Sequence, residues 1–264
     1  MPVLDIFIVR HGQTDANVFP LIFQGHGQNP LNVTGQLQAR LVGRRLGKEA
    51  LDIIYSSDLL RAKMVPTLSC PQTTEAITEH HPGISTVFDA RLREKHAGSL
   101  EGHTTKGLNK ALAGISPVQH EEYTQALDTY ITSHGGETMR QLGDRIVAAY
   151  NDIVGAEFAR VVASNTGTRT VLIVSHGGPI RELVDFLVNV EGYDLMEGEA
   201  AVRERRMQHN TGVTRVVVTA DEKGKVVKGK LVMVNNVGHL AGMTRAKQEK
   251  AGEVDGLIVA EEPI

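Results

Sequence analysis

The chain has 264 residues, 41% hydrophobic and 22% charged, enough to bury a full-sized core in one large α/β domain and too apolar for disorder or fibrous repeats. Lys and Arg number 28 against 31 Asp and Glu, a formal net charge of −3, so no global positive field exists to hold nucleic acid or an anionic membrane, and an anion site must be built locally. Aromatic residues make up 4%, with no Trp, which disfavours stacking on single-stranded nucleic acid and leaves small charged ligands as the expected partners.

Val3 to Val9 is an apolar run without polar alternation, as expected for a strand buried on both faces of a parallel sheet. Gly35 to Lys48 follows with Leu37, Leu41, Val42 and Leu46 at helical spacing and Arg40, Arg44, Arg45 and Lys48 on the wet face. Leu51 to Ser56 then completes a β-α-β unit. His80-His81-Pro82-Gly83 reads as a solvated turn, and Val87-Phe88 as a further buried segment. The polar stretch His103 to Gly136, helical in period over Glu121 to Ile131, is expected to be an insert lying over one end of the sheet.

Glu137 to Phe158 is the longest expected helix, its apolar face carried by Leu142, Ile146, Val147, Tyr150, Ile153 and Val154. Thr170 to Ser175 repeats the buried-strand pattern. From Gly212 the period changes to two, and Val213 to Thr219 and Lys225 to Val234, joined by Asp221-Glu222-Lys223-Gly224, predict an antiparallel edge hairpin. The expected architecture is therefore a three-layer α/β/α sandwich, a mostly parallel sheet with an antiparallel edge. It forms one domain over 1–242 with a helical insert at about 103–136, and 243–264 is a loosely held tail. Cys70 is the single cysteine, which excludes an intrachain disulfide and a Cys-ligated zinc. With no apolar run long enough to span a bilayer and no signal-like opening, a reducing, cytoplasmic location is expected.

Four of these segments end in reactive side chains. Val9 runs into Arg10-His11-Gly12, Tyr55-Ser56-Ser57 leads to Arg61, Val87-Phe88 leads to Glu94, and Val174-Ser175 runs into His176-Gly177-Gly178. Ligands of open α/β sheets bind beyond the carboxyl ends of the strands, so two Arg, two His and one Glu can converge in one crevice. Such a set is cationic, and the planar guanidinium fork matches phosphoryl oxygens, which makes a phosphate ester the implied ligand. A helix entered through His176-Gly177-Gly178-Pro179 aims free N–H groups at the same anion, and Gly12 permits close backbone approach. No Asp-x-Asp cluster marks a magnesium site, Ala76 stands where a cysteine phosphatase built on Cys70 needs Arg, and nucleotide-binding glycine motifs are absent. A histidine nucleophile remains, with no metal and no cofactor expected.

These residues resemble the histidine phosphatase superfamily, the phosphoglycerate-mutase-like fold, over most of the chain. Arg10-His11-Gly12-Gln13-Thr14-Asp15-Ala16-Asn17 is similar to its opening motif, Pro30 to Ala39 to the segment that follows, and Ser56-Ser57-Asp58-Leu59-Leu60-Arg61-Ala62 to its second-arginine motif. Arg91-Leu92-Arg93-Glu94 with Gly98 and Leu100-Glu101-Gly102 resembles the acid motif, and Ser175-His176-Gly177-Gly178 the second-histidine motif. Asn210-Thr211, Asn235 and His239-Leu240 are similar to its C-terminal strands. The resemblance implies that His11 becomes phosphohistidine, that Arg10, Asn17, Arg61 and His176 hold the phosphoryl oxygens, and that Glu94 is the proton donor. One departure is Pro66, which is expected to kink or shorten the helix after Arg61.

Mutases of the family carry Gly-Leu-Asn-Lys directly after the acid motif and Trp-rich segments. Here Gly102 is followed by His103, Gly107-Leu108-Asn109-Lys110 comes five residues late, and Trp is absent, so phosphatase is the better reading. Gln24-Gly25 and Leu100-Glu101-Gly102 look like the fructose-2,6-bisphosphatase-like members of glycolysis-and-apoptosis-regulator type. This similarity implies a sugar bisphosphate or another small phosphometabolite as substrate, with Gln24, Gly25, Gly177, Glu101 and His103 as further binding candidates. A phosphotyrosine or phosphohistidine protein phosphatase, a phosphoglycerate-type mutase and a non-catalytic phosphate-binding regulator are the alternatives. Oligomeric state is left open.

Overall fold

The apolar run after Pro2 forms strand β1 (Val3–Arg10), and its two faces are both covered. Leu4, Ile6 and Ile8 point to one side of the sheet and Phe7 and Val9 to the other, all at most 1% exposed, which is why polar alternation is missing from the sequence. The structure, a computed structural model, describes residues 1–18, 21–63, 71–113, 120–195 and 208–243. The other elements are α1 (Val33–Leu46), β2 (Ile53–Ser56), α2 (Thr73–Thr78), β3 (Thr86–Phe88), α3 (Lys106–Ala111) and α4 (His120–Thr132). They continue with α5 (Met139–Ser164), β4 (Thr168–Ser175), α6 (Gly177–Asn189), β5 (Asp194–Leu195), β6 (Val213–Ala220) and β7 (Val226–Asn236).

Among these, seven strands make one sheet in the order β3-β2-β4-β1-β6-β7-β5. Pairing is parallel from β3 through β1 and antiparallel at β1/β6 and β6/β7. Helices α5 and α6 cover one face through Ile146, Ile153, Phe158, Leu183 and Leu187. Helices α1 and α2 cover the other through Val42, Leu46 and Ile77. The three-layer α/β/α architecture expected from the sequence is therefore observed, a mixed α/β fold with a mostly parallel core.

Four local expectations are corrected. Helix α1 buries Gly35, Gln38, Ala39, Val42, Gly43 and Leu46, while Leu37 and Leu41 are only half-buried. The small residues face inward because neighbouring backbone packs close: a Cβ on Gly35 would lie 1.9 Å from the Gln13 carbonyl oxygen and one on Gly43 2.3 Å from the Ala76 carbonyl oxygen of α2. Arg45 is not on the wet face, since it is half-buried and donates to Asn236 Oδ1 at 2.8 Å. Strand β3 is an edge strand with Val87 and Phe88 exposed rather than buried. The β6/β7 hairpin is not the opposite edge, because the two-residue β5 pairs parallel outside β7. The expected effect of Pro66, the surroundings of Cys70 and the expected tail beyond Met243 lie outside the described residues. Among the described residues no helix is long and apolar enough to cross a membrane.

Candidate active site

The sheet register brings the four reactive segment ends side by side. Arg10 pairs with Ser175, Ser56 with Val174, and Phe88 with Ser56, so β1, β2, β3 and β4 terminate at one edge of the sheet. Backbone bonds carry the alignment past the strands: His11 N donates to the Ser175 carbonyl at 3.0 Å and Ser57 N to the Val174 carbonyl at 2.9 Å. His11, Arg61 and His176 are each at most 1% exposed. The two imidazole rings lie 5.0 Å apart, centroid to centroid.

His11 Nδ1 is 2.7 Å from the Gly12 carbonyl oxygen, a contact that a ring nitrogen makes only as a donor, so the lone pair is left on Nε2. Burial, then the charges of Arg61 and Arg10, hold its pKa well below 6.5, so the ring is neutral. His176 is held down in the same way by burial, Arg61 and His11. Its Nε2 is 2.7 Å from Ser57 Oγ. Gly12 approaches a neighbour rather than a ligand, since a Cβ there would sit 2.5 Å from the Gly35 carbonyl oxygen.

Arg61 is the unusual group, a fully buried guanidinium. Its Nη1 and Nη2 donate to the carbonyls of Gly27 and Gly25 at 2.9 and 2.8 Å. Burial lowers its pKa to about 10, and burial lowers that of Arg10 as well. Arg10 Nη1 donates to the Gln208 carbonyl. Among the described residues neither arginine forms a salt bridge. Arg10 Nε, Arg61 Nε and His176 Nδ1 are all buried without a protein hydrogen-bond partner. The Glu94 carboxyl acts on both guanidinium groups from beyond ion-pair distance, and a dianion with three oxygens would supply a direct counter-charge and the missing acceptors.

Asn17, Gln24 and Gly25 line a cavity of about 500 Å³ together with Arg10, whereas His11, Arg61, His176 and Gly177 are not among its lining residues. Asn17 Oδ1 accepts from Thr14 N, Thr14 Oγ1 and Asn210 Nδ2, which leaves its Nδ2 as the remaining donor. Gln24 Oε1 accepts from Thr14 Oγ1 at 2.8 Å. Glu94 lines the cavity too, with Oε1 accepting from Lys95 N at 2.8 Å and Oε2 from Gly178 N at 3.3 Å. Gly178 leaves the Glu94 carboxyl in place, since a Cβ there would lie 2.3 Å from Oε1 and would displace it. The first turn of α6 thus meets a carboxylate of the protein itself through Gly178, while Gly177 lies against Arg10.

Two expected binding residues fall differently. Glu101 Oε1 accepts from His26 N at 2.9 Å and Ala97 N at 3.1 Å, so it ties the 23–27 turn to the loop after Glu94. Gly25, with φ of 45°, leaves space for that carboxylate, because a Cβ there would fall 2.0 Å from Glu101 Oε1. His103 is exposed and is not among the cavity's lining residues. The sequence reading did not single out Ser57 or Asn210 for the site, nor the cavity wall made by Phe23, Lys95, Leu127 and Ile131. Leu127 and Ile131 belong to α4, which places the expected insert beside the site.

The strand ends of a doubly covered α/β sheet that carry two neutral buried histidines, two arginines without a salt bridge among the described residues and a nearby carboxyl define an oxyanion-handling site of histidine type. A sequence profile of the histidine phosphatase superfamily (branch 1) matches residues 6–229. The chain belongs to that superfamily and is a phosphatase of that class. It is 31% identical over 245 residues to a broad-specificity phosphatase of Saccharomyces cerevisiae, covering 90% of this chain and 88% of that protein. It is 29% identical over 252 residues to the fructose-2,6-bisphosphatase TIGAR of Xenopus tropicalis, covering 80% and 85%. A phosphoglycerate mutase from Bacillus anthracis shares the fold with a TM-score of 0.66 at 21% identity, over 91% of this chain and 96% of that one.

Proposed function

We propose that the protein is a metal-independent phosphomonoesterase that works through a phosphohistidine on His11. The observation that carries this reading is the buried, neutral His11 ring beside Arg10 and Arg61, whose buried Nε atoms have no protein hydrogen-bond partner. In the first step His11 Nε2 attacks phosphorus, the N–P bond forms and the P–O bond to the leaving group breaks. Glu94, protonated, gives its proton to the departing oxygen. In the second step Glu94 takes a proton from water, the water oxygen bonds to phosphorus, the N–P bond breaks, and orthophosphate and free His11 result. Arg10, Arg61, His176 and Asn17 Nδ2 hold the phosphoryl oxygens and stabilise charge that grows in the transition state.

The substrate in this reading is a small phosphorylated metabolite. A cavity of about 500 Å³ with α4 at its side suits a compact leaving group better than a polypeptide. Similarity to the Xenopus fructose-2,6-bisphosphatase supports a sugar bisphosphate. A second reading is favoured by the lining: among the described residues Lys95 is the one cation there besides Arg10, and it is bound to Asp128 at 2.8 Å. Phe23, Leu127 and Ile131 belong to one apolar cluster and make part of the wall apolar, which suits a partly apolar monoester.

The test is phosphate release, with a chelator present, from a sugar bisphosphate, aryl phosphates, phosphoserine and a phosphotyrosine peptide, together with acid-free mass analysis of the rapidly quenched enzyme. One added phosphoryl group on the peptide containing His11 is expected. Turnover that needs magnesium, or a phosphoryl group found elsewhere, overturns the mechanism. The ratio of sugar-bisphosphate to aryl-phosphate turnover decides between the two substrate readings.

A further inference from the structure

Arg145 lies on α5, outside the motifs read from the sequence, and every N–H of its guanidinium is used. Nη1 donates to the carbonyls of Arg91 and Arg93 at 2.8 and 2.7 Å, and Nη2 to the carbonyl of Glu94 at 2.8 Å. Nε and Nη2 form a fork with Glu137, at 3.1 Å to Oε2 and 2.5 Å to Oε1. Glu137 Oε1 in turn accepts from His96 N at 2.8 Å. Burial pushes the Glu137 carboxyl up, but the bonds from Arg145 and the His96 amide outweigh it and keep the group ionised. Both side chains of the pair are mostly buried.

The geometry points to Arg145 as the positioning residue of the general acid: with Glu137 it clamps the backbone from Arg91 to His96, and so fixes where the Glu94 carboxyl stands. This rests on the reading of Glu94 as proton donor. The segment needs such a clamp because it has little regular structure of its own. It leaves a 3-10 turn at Ala90–Leu92 and has no strand ladder to hold it. Helix α5 is long and packed against the sheet, so it offers a rigid base. Three carbonyls of one four-residue stretch, those of Arg91, Arg93 and Glu94, turned to one side chain require a planar group with several donors at fixed angles. Arginine supplies that and lysine, a point charge with three rotatable donors, does not. The remaining partner of the Glu94 carbonyl is His26 Nε2 at 3.0 Å, from the turn that also supplies the Gly25 and Gly27 carbonyls to Arg61. Acid and cradle are therefore held from one shared scaffold.

A residue that acts only by placing the acid has a signature that a merely structural residue lacks. Its loss matters most when the leaving group needs a proton. The experiment compares kcat/KM for a series of substituted phenyl phosphates, from 4-nitrophenyl to 4-methoxyphenyl, in wild type, Glu94→Gln, Arg145→Lys and the double variant. Arg145→Lys is expected to lower kcat/KM about 10- to 100-fold for the 4-methoxyphenyl ester and less than about 3-fold for the 4-nitrophenyl ester, the scale of a misplaced acid. The double variant is expected to be no slower than Glu94→Gln alone. Equal loss across the series, or no loss at all, overturns the clamp. A flat series for Glu94→Gln itself overturns the acid assignment, a separate failure. Should Arg145→Lys not fold, judged by circular dichroism, Glu137→Gln frees the fork while keeping the guanidinium, and the same steepening is expected from it.

Discussion

Strand β4 begins and ends at a buried charge cluster, and the two clusters are built on opposite plans. Near its start, Glu157 is fully buried and accepts from Arg169 Nε at 2.7 Å, from Tyr55 OH at 2.6 Å and from Arg160. Every charge there has a protein partner. At its end, Arg61 is just as buried, yet only carbonyl oxygens meet it, and its Nε and His176 Nδ1 meet nothing. A cluster closed on itself holds the fold together. One left open on one side stores binding capacity for something that is not part of the chain.

The contrast can be broken in several ways, taken from the largest effect down. His11→Ala is expected to abolish turnover while orthophosphate still raises the melting temperature, since both arginines remain. Turnover by this variant removes the open cluster's claim to chemistry. Glu94→Gln is expected to slow the reaction by about 10²- to 10⁴-fold, the scale of a lost general acid, as read in steady-state kinetics. Then come two matched substitutions. Arg169→Met, which removes one of the two arginines on Glu157, is expected to cost about 1.5–3 kcal/mol in urea unfolding, the scale of a lost hydrogen bond to a buried charge, with kcat unchanged. Arg61→Met, which removes a cation with no carboxylate partner, is expected to leave stability unchanged within about 1 kcal/mol and to abolish protection by orthophosphate. If both variants lose stability alike, the two clusters are of one kind.

The smallest effect is on pH dependence. His11 is held well below 6.5 by burial and the two arginines, and His239 is lowered to about 4 by burial and Arg45. Their depressed folded-state values mean that the unfolded chain binds more protons below 6.5. The stability they contribute is whole above 6.5 and is lost as pH falls toward 4. The urea midpoint is therefore expected to fall steadily from about pH 7 to about pH 4.5, and His239→Gln to flatten part of that slope. The acid limb of kcat/KM is expected not to show a histidine titrating near 6.5.

How much of this was legible beforehand follows from what each feature depends on. Arg10, His11, Arg61, Glu94 and His176 stood out because a reaction restricts residue type, and because the ends of buried strands can be recognised from runs such as Val171 to Val174. The side-chain roles of Arg145, Glu137 and Ser57 had no such mark. They act through carbonyls and a ring nitrogen that tertiary folding brings near, from positions far apart in the chain. The rotation of α1 was misread for a related reason. Leu37 and Leu41 have the hydrophobicity of core residues, but α1 packs so close to its neighbours that small residues fill the contacts, Gly35 against the Gln13 backbone and Ala39 and Gly43 against Ala76 of α2. Strand β5, with two residues, is too short to carry a period.

The cavity wall drawn from α4 has a consequence for how such an enzyme diversifies. The cradle for phosphorus comes from the ends of the sheet strands. Part of the wall of the neighbouring cavity comes from Leu127 and Ile131. Asp128 fastens that helix to the remainder through Lys95 and the Met139 amide, both at 2.8 Å. In the reading proposed above, the groups that handle phosphorus and part of the wall beside them thus belong to separate stretches of chain. A lineage can revise the second by rewriting one helix, leaving the first word for word as it was.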